Sequence, residues 1–210
     1  MSQEVIWSKR YSDAGDQYLF GTAPNRFLAS RADLFQKDQT VLSVADGEGR
    51  NSVWLAEQGL DVTAIEISSV AVEKAKQLAV SREVSINAIH ADMLLHDWKT
   101  IELGNKFHWV LGIFIQFAGP EARAQQFSIM KELTHPGGRV LLHGYTPKQL
   151  DYKTGGPADI NNLYTTEMLL EAFAGWEVEE VIEYEEDISE GIAHQGRSAL
   201  IGIIARKPKP

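Results

Sequence analysis

The sequence predicts an α/β protein: a doubly wound sheet, parallel through most of its strands and finished by an antiparallel hairpin. Three observations predict it. Strand-like apolar runs alternate with helical patterns through five strands, at residues 41–44, 62–66, 84–90, 107–117 and 139–145. Two more strand-like runs, 176–188 and 198–206, are joined by EGIAHQG with no helical stretch between them. At 44% hydrophobic and 23% charged residues, the chain has the make-up of an ordinary folded domain.

The first 30 residues carry Trp7, Tyr11, Tyr18, Phe20 and Phe27 with Arg10 and Arg26 among them, broken by Ser12-Asp13-Ala14-Gly15-Asp16. They read either as a helix and loop docked by aromatic anchors, or as a lid over the loop that follows the first strand. That strand holds Val41, Leu42 and Val44. Gly47 and Gly49 then allow a tight turn and close approach of backbone to a ligand. A helix is expected from Ser52 to Gln58, with Gly59 as its left-handed stop. The second strand ends at Glu66, about 20 residues after the turn, where a carboxylate accepts from both hydroxyls of a ribose. Strand, glycine turn, helix and acidic strand end make half of a nucleotide-binding fold.

Ser68 or Ser69 caps the next helix, whose Ala71, Ala75, Leu78 and Ala79 share a face. The run FHWVLGIFIQF reads as a buried strand passing into a loop. Pro120 opens a helix to about Thr134, with Phe127, Met130 and Leu133 inward. Pro136-Gly137-Gly138 reads as a turn before the fifth strand. Residues 146–157 form a loop long enough for function, and Thr165 or Thr166 caps a last helix to Phe173.

The chain has no cysteine, which excludes disulfides, a thiolate nucleophile and cysteine-held zinc, and fits a cytoplasmic enzyme. A net charge of −9 speaks against nucleic acid and anionic membranes as partners. No apolar run reaches about 18 residues, so no membrane span is expected. The histidines lack metal-ligand spacing, and no metal site is predicted.

LSVADGEGRN at 42–51, AIEIS at 64–68, HAD at 90–92, the PGG turn and the terminal hairpin together resemble the class I S-adenosylmethionine-dependent methyltransferases. The flanking pieces WSKRY, GTAPNRFL, YTPKQL, GGP and EGIAHQG are similar to the small bacterial tellurite-resistance and thiopurine types. The resemblance implies a seven-stranded Rossmann-like sheet in the order 3-2-1-4-5-7-6, one domain over 1–210 and S-adenosylmethionine as cofactor. Residues 1–30 then form the lid-like segment. It also implies a cofactor site of Trp7, Tyr18, Ala45, Asp46, Gly47, Arg50, Asn51, Glu66, Ile67, Asp92, Met93 and Gly112. Within it, Glu66 clamps the ribose, Ile67 and Met93 flank the adenine, and Asp92 accepts from its amine. Arg50 and Asn51 donate to the methionyl carboxylate.

Each role has a plainer alternative: salt-bridged acid, core packing or helix-start residue. Two positions depart from the family: Ser43 stands where Asp is usual and Ala45 where Gly is usual. Asp46 either restores the missing carboxylate or is an ordinary loop residue.

Methyl transfer from a sulfonium is an in-line displacement needing alignment and exclusion of water, with no metal. Candidates beside the transferred methyl are Gln116, His143, Tyr145 and His194, as orienting groups or bases, or as satisfied structural side chains. With no evident catalytic dyad, the first expectation is a small-molecule acceptor that is a soft nucleophile, a thiol or reduced chalcogen. The alternatives are a protein or amine N-methyltransferase, for example of lysine, and a non-catalytic cofactor-binding protein. The acidic run from Glu177 to Asp187 reads as a charged edge strand, or as a docking face for a basic peptide.

Overall fold

A computed structural model describes residues 2–98 and 106–209. The seven strands follow the expected order, β3-β2-β1-β4-β5-β7-β6. The chain divides into two compact units: Met1–Glu102 with Glu190–Ala193, and Leu103–Ser189 with His194–Pro210.

In the first unit, helix α1 (Gln3–Asp13) is capped by Ser2 and followed by the short α2 (Arg26–Ala29). Strand β1 (Thr40–Val44) runs parallel to β2 (Asp61–Glu66), and β2 to β3 (Asn87–His90). The registers pair Val44 with Ile65 and Glu66 with His90, so the three strands end together. Loops after β1, β2 and β3 therefore leave from one edge, which brings the glycine loop, Glu66 and Asp92 to the same end. Helix α3 (Arg50–Glu57) follows the glycine loop and starts two residues earlier than expected. Its first turn is set by Gly49, which at φ +88° serves as the N-cap. A Cβ there would lie 2.7 Å from Ala75 Cβ, so the glycine also lets helix α4 (Ser69–Ser81) pack close. Ser68 caps α4 by accepting from Ala71 N–H. β3 is shorter than the expected 84–90 because Glu83, at φ +57°, and Val84 still turn the chain out of α4.

The second unit contains β4 (Phe107–Ile113), α5 (Pro120–Leu133), β5 (Thr134–Tyr145), α6 (Gln149–Tyr152) and α7 (Thr166–Ala172). It ends with β6 (Glu177–Glu190) and β7 (His194–Arg206). β4 and β5 are parallel, β5 and β7 antiparallel, and Trp109, Val110, Leu111, Val140, Leu141, Leu142, Ile201 and Ile203 fill the core. Phe127 and Met130 point inward from α5 as expected, whereas Leu133 is only half-buried. Two expectations are corrected. Pro136-Gly137-Gly138 is not a turn before β5 but an irregularity inside it, where the pairing jumps from Phe107–Thr134 to Trp109–Arg139. EGIAHQG is mostly strand, and only Gly191-Ile192-Ala193 joins β6 to β7.

β6 lies at the sheet edge and its acidic run is largely paired within this unit. Glu179 makes a two-pronged bond with Arg139, at 2.6 and 2.9 Å, and Glu185 pairs with Lys148 and Arg197. Those cations hold the Glu185 carboxyl down at about 2. The run is thus an internally compensated edge rather than a bare acidic face. Among the described residues no helix is long and apolar enough to cross a membrane.

Candidate functional site

The glycine loop is folded around two buried carboxylates. Glu66 lies at the tip of β2 with its Oε2 accepting from Gly47 N–H at 2.9 Å and its Oε1 from Ser68 N–H at 2.9 Å. Desolvation raises its pKa to about 7, against those two amide bonds, which lower it, and with the Asp46 charge adding to the rise. The Ile67 backbone N–H also bears on this carboxylate, which has about four acceptor positions in all. Asp46 takes Ser43 Oγ–H at 2.6 Å and Ser52 Oγ–H at 2.5 Å. Burial raises its pKa and the two serine bonds oppose that rise. Ser43, the departure from the family pattern, thus acts as a clamp on the carboxylate that stands three residues on. Ala45, the other departure, sits at φ +48°, a left-handed conformation that glycine adopts without strain.

Arg50 and Asn51 open α3 and both are buried. Arg50 Nη2 donates to Glu190 Oε2 at 2.8 Å, while Nη1 is buried with no hydrogen-bond partner among the described residues. Asn51 Oδ1 accepts from Asn25 N–H at 2.9 Å. Farther along the strand ends, Met93 is buried and Ile67 half-buried. Asp92 Oδ1 accepts from Leu94 N–H, and Met93 C=O from the Trp98 indole.

The N-terminal segment packs on this loop. Trp7 stacks on Tyr11 at 5.9 Å and meets Phe20 at 6.4 Å, with the Arg10 guanidinium 4.4 Å from the Trp7 ring centre. The Tyr11 hydroxyl would lie 2.9 Å from a Cβ on Gly47. Tyr18 goes elsewhere: its hydroxyl donates to Lys74 C=O and its ring packs with Val53, Leu78 and Ala79. That placement sets its ring against the seam of α3 and α4, near the loop carboxylate of Glu48.

The pairings of four side chains here were not marked in the sequence. Glu48, inside the loop, accepts from Leu19 N–H at 2.7 Å and pairs with Lys74 at 2.9 Å. Lys74 also donates to Tyr11 C=O and Gln17 C=O, tying the end of α1 to the loop. Glu190 and Tyr11 complete the set. WSKRY and EGIAHQG marked the segments that carry the latter two, but nothing marked the pairings.

In the second unit, the end of β4 turns through Phe114 at φ +57°, a strained backbone for an aromatic residue. Its ring meets His143 at 5.1 Å, Tyr145 at 4.7 Å and His194 at 4.7 Å. Three of the four candidate residues are thus gathered on one ring. His143 Nε2 lies 2.9 Å from the Tyr184 hydroxyl. Gln116 is committed to backbone: Nε2 donates to Tyr145 C=O at 2.8 Å and Oε1 accepts from Tyr145 N–H at 2.6 Å. Gly112 is glycine for packing reasons, since a Cβ would meet Ile115 at 2.6 Å and Leu142 at 2.8 Å.

Residues 41–138 match the family model described as a methyltransferase domain. Hemagglutinin 1 of Eikenella corrodens is 29% identical over 181 residues, 80% of this chain and 54% of that protein. The chain therefore spans about half the length of that relative. A solved structure concerned with conversion of a disulfide bond into a thioacetal group during echinomycin biosynthesis superposes with a TM-score of 0.79. It is 16% identical and covers 99% of this chain and 92% of that one. TehB from Haemophilus influenzae gives 0.71 at 20% identity, covering 97% of this chain and 66% of that one. The N-methyltransferase NodS from Bradyrhizobium japonicum WM9 gives 0.66 at 11%, covering 100% of both chains. At these identities the likeness shows the fold.

Proposed function

We propose that the chain, whose residues 41–138 match a methyltransferase domain, is a class I, S-adenosylmethionine-dependent methyltransferase that methylates a small soft nucleophile, a thiol or reduced chalcogen. The observation that carries the cofactor assignment is the orphaned Arg50 Nη1 at the head of α3. A buried guanidinium donor without a partner costs roughly 1–3 kcal/mol, and a carboxylate beside the loop relieves that cost. Glu66 would take the ribose hydroxyls and Asp46 the ammonium of the amino-acid end. Ile67 and Met93 would flank the adenine and Asp92 accept from its amine. Backbone at Ala45 and Gly47, with Asn51, would close around the amino-acid end, and Trp7 with Tyr11 would exclude water from above.

S-Adenosylmethionine brings an electrophilic methyl on a sulfonium, whose departure needs no acid. The protein's task is therefore to position the acceptor and keep water out. For a thiolate no strong base is required near pH 8. The second unit supports that economy: Gln116 is spent on the Tyr145 backbone, and His143 is held by Tyr184.

A second reading, amine or protein N-methylation, is favoured by the His143–Tyr184 pair, which forms a path for the proton that an ammonium must lose. Methyl-labelled cofactor incubated with a thiol and selenol panel, then with a lysate resolved by size, separates the two. Label in small products supports the first reading and label on protein the second. Tight cofactor binding with no transfer marks a non-catalytic binder.

A further inference from the structure

We propose that Glu190 is a positioning residue for the cofactor's amino-acid end: it holds the Arg50 guanidinium so that its second terminal nitrogen meets a carboxylate. This rests on the cofactor reading given above.

Glu190 is 140 residues away from Arg50 in sequence. It belongs to the first unit, because the three residues after it lie on the N-terminal segment. Ile192 N–H and Ala193 N–H both donate to Leu19 C=O, at 3.0 and 3.2 Å. Gly191 makes that approach possible, since a Cβ there would lie 2.3 Å from Gly21 N and 2.5 Å from Leu19 C=O. With its backbone fixed this way, the Glu190 side chain is fixed at both oxygens. Oε1 accepts from Asn25 Nδ2–H at 3.1 Å, and Oε2 from Arg50 Nη2–H at 2.8 Å. Asn25 is itself held through its N–H on Asn51, the neighbour of Arg50.

The two charged side chains are 7% and 8% exposed. A pair buried that deeply contributes little net stability compared with apolar residues of the same volume, because desolvation offsets the attraction. What it fixes is direction. Arg50 is left with one end of its fork occupied and the other, Nη1, buried and unpartnered. A planar guanidinium pinned at one nitrogen presents the other along a set line, which suits a carboxylate.

The test compares two probes by calorimetric titration. S-Adenosylhomocysteine carries the amino-acid end; 5′-methylthioadenosine keeps adenine, ribose and thioether but lacks it. In E190A, affinity for S-adenosylhomocysteine falls at least about tenfold, while that for methylthioadenosine stays unchanged. E190Q, whose amide oxygen still accepts from Arg50, recovers most of the loss. Equal weakening of both probes would reduce Glu190 to a structural brace, and undiminished S-adenosylhomocysteine binding would also overturn the proposal. Should E190A fail to fold, E190M, which keeps the side-chain volume and removes both acceptor oxygens, is titrated with the same probes and the same split is expected. A wild-type protein that binds neither probe overturns the cofactor reading itself, whereas binding of both with no split in the variants overturns only the role of Glu190.

Discussion

Ala45 holds a left-handed φ of +48° where glycine would adopt it freely. Strain of that kind costs about 1 kcal/mol, so A45G raises thermal stability by about that amount, read as an upward shift in melting temperature. Glu66 carries a second residue-scale consequence. Its carboxyl titrates at about 7 in the folded chain against 4.5 for an ordinary glutamate. The folded state therefore binds more protons than the unfolded state between those values. Its stabilising contribution is full below about 4.5 and is lost as pH rises through about 7, a swing on the order of 3 kcal/mol. E66Q flattens the stability–pH profile across pH 5 to 8, measured by denaturant melts, and leaves the protein more stable than wild type at pH 8. A group that destabilises the fold at working pH is explained by binding rather than by packing.

Among the elements, α3 and α4 show how closely the loop is built. G49A places a methyl 2.7–2.8 Å from the Ala75 Cβ and Cα. Overpacking of this kind costs about 1–3 kcal/mol, and a denaturant midpoint lowered with unchanged slope is the expected reading. Much of this level was legible in the sequence. Alternating runs marked β1, β2 and β4 through their apolar content; Gly47 and Gly49, both at positive φ, fall in the turn between β1 and α3, and Glu66 at the end of β2. Side-chain partnerships were not legible. Glu48 with Lys74, and Arg50 with Glu190, join residues 26 and 140 positions apart. Such pairings depend on which segments the fold brings together, not on local pattern. Tyr18 and Trp7 looked alike in the sequence; only packing sent one to the seam of α3 and α4 and the other to Tyr11. For Gln116 the sequence left open an orienting group or a side chain satisfying buried backbone; its amide bonds the Tyr145 backbone, and Gly144 leaves room for it.

For the whole molecule, the strand order was readable because alternation and the helix-free last connection permit few topologies. Ligand binding to the folded chain alone raises its stability by mass action, about 2.7 kcal/mol at a hundredfold excess over the dissociation constant. S-Adenosylhomocysteine is expected to raise the melting temperature in a concentration-dependent way and NAD to leave it unchanged. The proposed ribose clamp of the sulfonium-cofactor site is Glu66. Calorimetric titration of S-adenosylhomocysteine at pH 8 into wild-type protein and E66Q tests it. Saturable binding to wild type, weakened roughly 10- to 100-fold in E66Q, is the predicted result; equal affinities, or no binding to the wild-type chain, would contradict it.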